Sequence, residues 1–442
     1  MGINKDMHIS IVGAGMGGLA TALALAKEGF TRIDVYETAS DLGFVGAGIQ
    51  LAPNMARVLD RLGVWEPIAK DATALEAAKG STNEELAFSD MTWISQSYGY
   101  QHMVGHRASL ARELYCGCKR EKAINFFLAS QVTEVISFAP NPRFLVSPRN
   151  HDSDPYVVTC DVLFGADGVK SQTRQAMLKE LGVDAKVVDS GQAAYRIMLK
   201  REEMEKDPDL LELVEGNRST RWIGERKHII AYPVSSKTIY NISTAHPDTN
   251  FAAAPDETYT TRGTKESMLS VYSDFGPIIQ KMLDMVPEGE VCEWKLRVHE
   301  PLPTWVHGTT ALIGDACHPT LPHLNQGAAQ AIEDGAVVAV ALARSPDSTR
   351  TSITKSLKVY EILRKERAEA LVAMAAANGK EMQLGDGFTA AERDAAFKAF
   401  RESGGHGKLP DQAADKEVLS FIYEWDASKE TVEQYDTIFQ AL

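Results

Sequence analysis

The first forty residues alternate between apolar and small-residue segments in a way that predicts a βαβ unit. Residues 8–12 form a short, mostly apolar run typical of a buried strand. Residues 19–26 are almost all Ala or Leu, as in a helix that packs closely on a sheet. A second β-rich run at residues 33–36 ends at Glu37. This order of strand, helix and strand indicates an α/β sheet.

Three glycines, Gly13, Gly15 and Gly18, separate the first strand from the helix with G-x-G-x-x-G spacing. In a dinucleotide site the first permits a tight turn, the second lets a pyrophosphate approach the backbone, and the third allows close helix packing. Glu37 follows about 20 residues later, where an acid accepts hydrogen bonds from a ribose. We therefore predict a dinucleotide site that includes Ala14. FAD and NAD both carry a free 2'-hydroxyl, so this motif alone does not distinguish them.

Length and charge narrow the class of protein. A chain of 442 residues exceeds what one hydrophobic core usually serves, so at least two packed units are expected. The net charge of -14 argues against nucleic acid or an anionic membrane as the main partner. No apolar run approaches the ~20 residues of a membrane span, and the N-terminus lacks the apolar core of a signal peptide.

The five cysteines are scattered and odd in number, which fits a reducing compartment. We therefore expect a cytoplasmic protein. Cys116 and Cys118 form a C-x-C, but no second ligand pair lies near them in the sequence, so we predict no metal site.

Two later strand ends repeat the chemistry of the glycine motif. One predicted strand ends in a small-residue stretch that contains Asp167 and Gly168, which is also compatible with a simple β-turn. Another ends at Asp315, shortly before a small-residue helix that begins near Gly327 and Ala328. Free backbone N–H groups at such a helix start bind anionic groups. Two such ends suggest a ligand long enough to touch both.

A glycine-rich loop and one arginine are further candidates for ligand contact. Gly46 and Gly48 lie in a glycine-rich loop that can lie flat against a ligand. Arg107 lies in the first turn of a predicted helix, where a cation is unfavourably placed for the helix dipole. Either an anionic partner or a solvated surface position explains Arg107.

Taken together, the motifs resemble those of the flavin-dependent aromatic hydroxylases of the para-hydroxybenzoate hydroxylase type. The similarity is strongest to the salicylate hydroxylase-like branch. It rests on the 13–18 motif with Glu37, the Asp167–Gly168 stretch, and Gly314–Asp315 followed by N-Q-G-A, and it covers roughly residues 8–375. The resemblance implies that FAD is bound by residues 13–18.

The same resemblance implies roles for the other candidate residues. Glu37 would bind the adenosine ribose, Arg107 would lie near the pyrophosphate and Asp315 near the ribityl chain. The backbone of residues 327–328 would border the pyrimidine edge of the flavin, and residues 167–168 would serve FAD and NAD(P)H together. The absence of a second G-x-G-x-x-G is consistent, because this family has no separate nicotinamide domain.

The patterning also predicts an interrupted domain organisation. We expect the first part of a Rossmann-like FAD-binding domain at residues 1–180 and its second part at residues 300–375. A β-rich substrate domain at residues 181–299 would form a roof over the flavin, and residues 376–442 would form a C-terminal helical tail. Within the tail, the sequence predicts one short helix near residues 418–423.

Three roof residues are candidates for catalysis. His228 and Tyr232 are four apart in a strand-like run, so both side chains point to one face. Without the resemblance, Tyr232 is an ordinary core or interface tyrosine. The resemblance implies that it deprotonates a substrate phenol with His228 as its partner, and that Arg196 orients or polarises the substrate. A surface salt bridge is the alternative for Arg196.

These expectations together describe a monooxygenase that uses FAD, NADH or NADPH, and O2 to hydroxylate a phenolic acid. A hydroxybenzoate is the first expectation, with oxidative decarboxylation where the attacked carbon carries a carboxylate. The first alternative is hydroxylation or dearomatisation of a larger phenol without loss of CO2. The second is a flavin redox or sensor protein without oxygenase turnover. We expect a monomer or homodimer.

Overall fold

The computed structural model describes residues 2–42, 46–81, 85–149, 153–185, 187–249, 260–383 and 388–442. Its strands, in chain order, are β1 (Ile9–Val12), β2 (Ile33–Tyr36), β3 (Gly48–Leu51), β4 (Thr73–Ala74), β5 (Ala77–Ser81), β6 (Glu85–Asp90), β7 (Met103–His106), β8 (Ile124–Phe127), β9 (Ser130–Ser137), β10 (Arg143–Pro148), β11 (Tyr156–Thr159), β12 (Val162–Gly165), β13 (Val187–Lys200), β14 (Arg218–Gly224), β15 (Lys227–Val234), β16 (Ile239–Pro247), β17 (Thr260–Arg262), β18 (Cys292–His299), β19 (Val306–His307) and β20 (Thr310–Leu312).

The α-helices of the same residues are α1 (Met16–Lys27), α2 (Pro53–Arg61), α3 (Trp65–Asp71), α4 (Trp93–Tyr98), α5 (Arg107–Arg120), α6 (Gln172–Leu181), α7 (Arg201–Met204), α8 (Pro208–Glu215), α9 (Lys265–Val271), α10 (Pro277–Asp284), α11 (Gly327–Ala343), α12 (Arg350–Met382), α13 (Phe388–Glu402), α14 (Lys416–Glu424) and α15 (Ala427–Ala441). Short 3-10 turns cover Gly314–Ala316 and Pro322–Leu324. No helix among the described residues is both long enough and apolar enough to span a membrane.

A six-stranded sheet in the order β19-β20-β12-β1-β2-β8 forms the first layer. β1 pairs in parallel with both β2 and β12, which confirms the predicted βαβ unit. All four residues of β1 are buried because helices cover the sheet, among them α1 and α11, whose small residues allow close packing. Because β1, β12 and β20 run parallel, their carboxyl ends meet at one edge of the sheet.

An eight-stranded sheet in the order β17-β18-β13-β16-β15-β14-β5-β6 lies over that edge, and we call it the roof sheet. Its pairs are antiparallel except β14 with β5. One face packs against helices in a core that includes Ile229, Ala231 and Tyr240. β5 and β6 come from residues 77–90, within the range that the sequence placed in the first FAD-binding part. The roof is therefore built from two separate stretches of the chain.

The C-terminal tail contains more helix than the sequence predicted. The one short helix expected near residues 418–423 corresponds to α14, whereas α13 and α15 were missed. α15 is mostly polar and attaches through few buried positions, such as Thr431 and Tyr435, so its periodic signal is weak. The predicted fold class is confirmed: an α/β sheet domain is interrupted by a β-rich segment and followed by C-terminal helices.

Candidate functional site

A cleft with a cavity volume of about 350 Å³ lies between the first sheet and the roof sheet. Its floor is formed by residues that follow β1, β12 and β20, and its roof by residues of β13, β14, β15 and β16. In open α/β sheets, ligands bind beyond the carboxyl ends of parallel strands. The cleft is therefore the candidate site of both cofactor and substrate.

Two helices begin at this cleft without a side-chain cap. α1 starts after Gly15 and α11 after Gln326, and neither of these residues makes a capping hydrogen bond. Other helices here, such as α5 and α6, are capped by a side chain. The first N–H groups of a helix have no partner within it, and Gly327 and Ala328 line the cleft. The cleft therefore offers two positions for anionic groups.

The three glycines of the motif have different structural roles. Gly13 has a φ of 101° at the end of β1, which favours glycine. A Cβ on Gly18 would lie 2.0 Å from the carbonyl oxygen of Gly13, so this position closes the turn against the helix. A Cβ on Gly15 would meet nothing within 4 Å. The space above Gly15 is open, as a site for a closely approaching ligand requires.

Glu37 lies directly beside the glycine turn. Its Oε2 accepts a hydrogen bond of 2.8 Å from the N–H of Ala14, and its Oε1 accepts one of 2.8 Å from the N–H of Ala39. The carboxylate therefore braces the turn. Binding of a ribose by Glu37 stays a prediction that this position supports.

Asp167 and Gly168 have different structural roles. The carboxylate of Asp167 accepts hydrogen bonds from the Ser171 hydroxyl at 2.5 Å and from the Thr173 N–H at 3.0 Å, so it orders the start of α6. Gly168, with a φ of 74°, lines the cleft. The contribution of this stretch to the cleft comes from backbone, and a cofactor role for the Asp167 carboxylate has no supporting contact.

Arg107 and Asp315 both line the cleft. Arg107 is exposed at the start of α5, and no ion pair of its guanidinium occurs among the described residues. Asp315 is accessible to the cleft, but the protein that surrounds it raises the pKa of its carboxyl, opposed by the charges of His318 and Arg107. Arg107 is thus available to an anionic ligand that passes close to Asp315.

Gly48 connects the cofactor side of the cleft to the roof. Its N–H donates a 2.7 Å hydrogen bond to Oδ1 of Asn241, and a Cβ at Gly48 would lie 2.7 Å from Cε2 of Tyr232. Glycine is needed here because the backbone at the start of β3 lies too close to the tyrosine ring to leave room for a side chain. Gly48, which the sequence placed against a ligand, therefore lies against Tyr232 and also lines the cleft.

The cleft face of the roof sheet carries the predicted catalytic residues Tyr232, His228 and Arg196. On β15, every second residue points into the cleft, so His228 and Tyr232 line it together with Ile230 between them. Across the sheet, Ile230 pairs with Ser243, which in turn pairs with Arg196. Directly paired residues share a face, so Arg196 joins the same wall.

Tyr232 and Arg196 interact electrostatically. Burial raises the pKa of Tyr232, and the charge of Arg196 acts in the opposite direction. Burial and the like charge of Arg107 lower the pKa of Arg196. The guanidinium of Arg196 lies 5.2 Å from the ring centroid of Trp294, and within the described chain it has no ion pair with an acid. The alternative of a surface salt bridge therefore finds no support.

His228 shares the wall with Tyr232, but the structure does not bring the two side chains together. Four residues along a strand separate their Cα atoms by about 13 Å, and Ile230 lies between them. Instead, Nδ1 of His228 lies 3.3 Å from Nε2 of Gln383, and its ring centroid is 5.2 Å from that of His323. The predicted assistance of Tyr232 by His228 has no direct contact behind it.

A buried ionic network that the sequence did not predict lies under the site. Asp334 accepts hydrogen bonds from the Gly314 N–H at 2.9 Å and from Nε of Arg364 at 2.8 Å, and its Oδ2 lies 2.6 Å from Nε2 of His318. Arg364 also donates to Glu333 at 2.7 Å. The network fixes the turn that carries Asp315. The sequence feature that could have indicated this network is the adjacent acids Glu333 and Asp334 within a mostly apolar helix.

Known proteins resemble this chain over most of its length. The family described as FAD binding domain matches residues 6–375. An FAD-dependent monooxygenase of an Arthrinium species is 32% identical over 428 residues, which cover 96% of this chain and 94% of that protein. The 3-hydroxybenzoate 6-hydroxylase 1 of Aquipseudomonas alcaligenes is 31% identical over 345 residues, which cover 77% of this chain and 82% of that protein.

Solved structures share the fold. CtdE in complex with FAD and a substrate aligns with a TM-score of 0.80 at 21% identity, over 99% of both chains. A salicylate hydroxylase substrate complex aligns with a TM-score of 0.77 at 23% identity, over 97% of this chain and 98% of that chain.

Proposed function

We propose that this chain, which belongs to the FAD binding domain family and is an FAD-dependent monooxygenase of the aromatic hydroxylase type, hydroxylates a phenol in the cleft below Tyr232. NADH or NADPH is the reductant and O2 the oxygen source. A hydroxybenzoate is the first substrate class, since relatives about 30% identical carry that name. Where the attacked ring carbon carries a carboxylate, CO2 is lost.

The residues of the floor fit FAD. The open space at Gly15 and the uncapped start of α1 suit a pyrophosphate, and the exposed Arg107 supplies a cation. Glu37 lies where a ribose is expected, and the N–H groups of Gly327 and Ala328 are available at the other end of the cleft. Bound there, FAD supplies the redox chemistry that activates O2.

The proposal that the substrate is a phenol rests on Tyr232 and Arg196, which line the same wall of the cleft. Oxygen transfer to an aromatic ring needs an electron-rich ring, and a phenol is far more nucleophilic as its phenolate. A cation without an acidic partner next to the substrate hydroxyl lowers the pKa of that hydroxyl. Arg196 is such a cation. It provides local positive charge in a protein whose net charge is -14.

The raised pKa of Tyr232 defines what its hydroxyl does. At neutral pH the hydroxyl keeps its own proton, so it accepts the substrate proton only while passing its own proton on. We assign it the hydrogen bond that orients the substrate hydroxyl and relays the proton, with Arg196 favouring the ionised substrate. His228 acts on Tyr232 only through substrate or water between them.

The test is a screen of hydroxybenzoates and simple phenols with purified, FAD-loaded protein. Each compound is offered with NADH or NADPH, and consumption of the nucleotide and the mass of the product are measured together. A phenol that stimulates oxidation and gains one oxygen atom is the expected result. Phenol-independent oxidation without any oxygenated product would favour a flavin redox or sensor protein instead.

A larger phenol without CO2 loss is the second candidate, and one observation favours it. The cleft does not end at Tyr232 but continues along β15 to His228. A hydroxybenzoate held at Tyr232 leaves that part of the cleft unfilled. Including extended phenols in the screen separates the two candidates.

A further inference from the structure

At the end of the cleft beyond Ile230, four side chains from separate parts of the chain are joined by hydrogen bonds, and we call them the histidine–glutamine array. Nε2 of His323 lies 3.1 Å from Oε1 of Gln192, and Nε2 of Gln192 donates to Oε1 of Gln383 at 2.7 Å. Nε2 of Gln383 lies 3.3 Å from Nδ1 of His228. Both histidines line the cleft. The array therefore connects β13 and β15 of the roof to residue 383, which directly follows α12.

The two amides give the array a direction. An amide nitrogen only donates a hydrogen bond and an amide oxygen only accepts one. Because Nε2 of Gln383 donates to Nδ1 of His228, this Nδ1 is an acceptor without a proton. Oε1 of Gln192 needs a donor, so Nε2 of His323 carries a proton. All three hydrogen bonds are therefore donated in the direction from His323 to His228.

The second ring nitrogen of His323 supports the same direction. Its Nδ1 is buried and has no hydrogen-bond partner. If the direction were reversed, the proton of this imidazole would lie on Nδ1 as a buried N–H without an acceptor, which is rarer in proteins than an unpaired acceptor. The ring is also fixed in place, since a Cβ on Gly379 would lie 2.2 Å from its Cδ2 and Asn378 donates to its carbonyl at 2.9 Å. The array thus begins at a rigid position.

Both imidazoles of the array are neutral at physiological pH. Burial, and after it the charge of Arg221, lowers the pKa of His323 to about 3 and holds the pKa of His228 well below its usual value. Arg221 itself is paired with Asp411 at 2.9 Å. A neutral imidazole carries one proton, so the proton of His228 is on Nε2. Within the described part of the chain this Nε2 makes no hydrogen bond, and it belongs to a side chain that lines the cleft.

We propose that Gln383 is a positioning residue that fixes His228 as a hydrogen-bond donor to the substrate through Nε2. The proposal rests on the proposed function, which places the phenol at Tyr232. The substrate then carries an oxygen acceptor, such as a carbonyl, at the end opposite its hydroxyl. The Cα atoms of His228 and Tyr232 are about 13 Å apart, so two hydrogen bonds of ~3 Å leave roughly 7 Å between the two substrate oxygens. Since a donor cannot also be the base, His228 binds the substrate and leaves the proton transfer to Tyr232.

The tautomer of His228 is measured directly by NMR. FAD-loaded protein is labelled with ¹⁵N in its histidines, and the shifts of the imidazole nitrogens show which of them carries the proton. The signals of His228 are identified by their loss in His228→Gln. The expected result at neutral pH is a proton on Nε2 and none on Nδ1. A proton on Nδ1 alone would mean that the array runs in the opposite direction, and it would overturn the proposal.

A variant tests whether Gln383 sets this tautomer. Gln383→Glu replaces the amide donor with a carboxylate, which requires a proton on Nδ1 of His228. At high pH the neutral imidazole should then have its proton on Nδ1 and an acceptor at Nε2, whereas at low pH the imidazolium keeps both protons. Gln175→Glu, at an exposed position of α6, is the matched control and should keep the wild-type tautomer. A wild-type tautomer in Gln383→Glu at every pH would overturn the role of Gln383.

Binding of two matched phenols shows whether the substrate uses this donor. 4-Hydroxybenzophenone has a carbonyl where 4-benzylphenol has a methylene, and both dissociation constants are measured by equilibrium dialysis with FAD-loaded protein. The wild type should bind the ketone about five- to tenfold more tightly, as a hydrogen bond between neutral groups allows. In Gln383→Glu this preference should fall as the pH rises through the pKa of its His228. Dividing it by the wild-type preference at the same pH removes the effect of phenol ionisation.

Two binding results overturn the proposal. They are equal affinity of the wild type for both phenols, and a preference in Gln383→Glu that equals that of the wild type at every pH. Thermal unfolding shows whether each variant is folded, and the wild-type spectrum and affinities still decide if Gln383→Glu is not. Failure of both phenols to bind to the wild type would instead overturn the proposed function and the substrate contact with it, while the spectrum would still report the tautomer.

Discussion

Arg196 and Tyr232 face the same cleft from strands on either side of β16, and the charge of Arg196 opposes the rise that burial causes in the pKa of Tyr232. The pair places a hydroxyl and a cation on the same wall of the cleft, near enough to interact electrostatically. Such an arrangement both orients a phenol and favours its ionised form.

Removing the Tyr232 hydroxyl tests its role directly. Tyr232→Phe keeps the ring that packs on Gly48, so the fold and FAD content should survive. Product formation should fall by ~100-fold or more, the range of proton-transfer catalysis, while NAD(P)H oxidation continues and releases hydrogen peroxide. The measurement is product and peroxide formed per NAD(P)H consumed.

A pH profile and a control complete that experiment. Raising the pH toward the phenol's own pKa of ~10 should partly restore product, because solvent then supplies the phenolate. Tyr240→Phe changes a buried tyrosine on the opposite face of the roof and should behave as wild type. Wild-type product yield and pH profile in Tyr232→Phe would assign the proton transfer to another group.

Arg107 is predicted to bind a phosphate of FAD. Arg107→Ala should weaken FAD binding by about 1.5 to 3 kcal/mol, as expected for hydrogen bonds to a charged group. Fluorescence titration of apoprotein with FAD measures the change. Arg112→Ala, on the same helix with its guanidinium beside Glu113, is the control. Unchanged affinity in Arg107→Ala would make it a solvated surface residue.

Two glycines of the motif should respond differently to a side chain. Gly15→Val places its Cβ in open space, so the protein should fold but fail to retain FAD. Gly18→Val places a Cβ 2.0 Å from a backbone oxygen and should prevent folding. Circular dichroism and the flavin content of the purified proteins distinguish these outcomes. FAD retention by Gly15→Val would remove Gly15 from the cofactor site.

His102 should make stability depend on pH. Its Nδ1 lies 2.7 Å from the Tyr423 hydroxyl and its Nε2 2.8 Å from Oε1 of Gln50, and burial lowers its pKa from 6.5 to about 4. The unfolded chain therefore binds more protons between pH 4 and 6.5. The stability that neutral His102 provides is complete above pH 6.5 and declines as the pH falls through this window.

To test this prediction, the free energy of unfolding in urea is measured for wild type and His102→Gln from pH 7 to pH 4. The wild type should lose more stability on acidification than the variant, which has no group to protonate at this position. His406→Gln, at an exposed site, is the control. Equal pH dependence in wild type and His102→Gln would refute the assignment.

The sequence predicted those parts of the site that depend on local backbone geometry. The glycine turn, Glu37 beside it and the start of α11 all follow from short motifs, because a strand followed by a tight turn and a helix fixes where its N–H groups point. The alternation along β15 likewise placed His228 and Tyr232 on one face.

What the sequence did not predict depends on contacts between distant segments. The partners of His228 are Gln383 and His323, which come from other parts of the chain. Asp167 reads as a ligand contact in sequence but orders the start of α6 in the structure.

Oxygen labelling shows whether the protein transfers oxygen to a phenol or only oxidises NAD(P)H. Purified FAD-loaded protein is supplied with NAD(P)H, ¹⁸O2 and the phenol that best stimulates nucleotide oxidation, and the product is measured by mass spectrometry. We predict that one ¹⁸O atom enters the ring of the phenol, with one NAD(P)H consumed for each product in a coupled reaction. Oxidation of NAD(P)H that returns every phenol unlabelled, with all oxygen recovered as peroxide, would show that the protein is not a phenol hydroxylase.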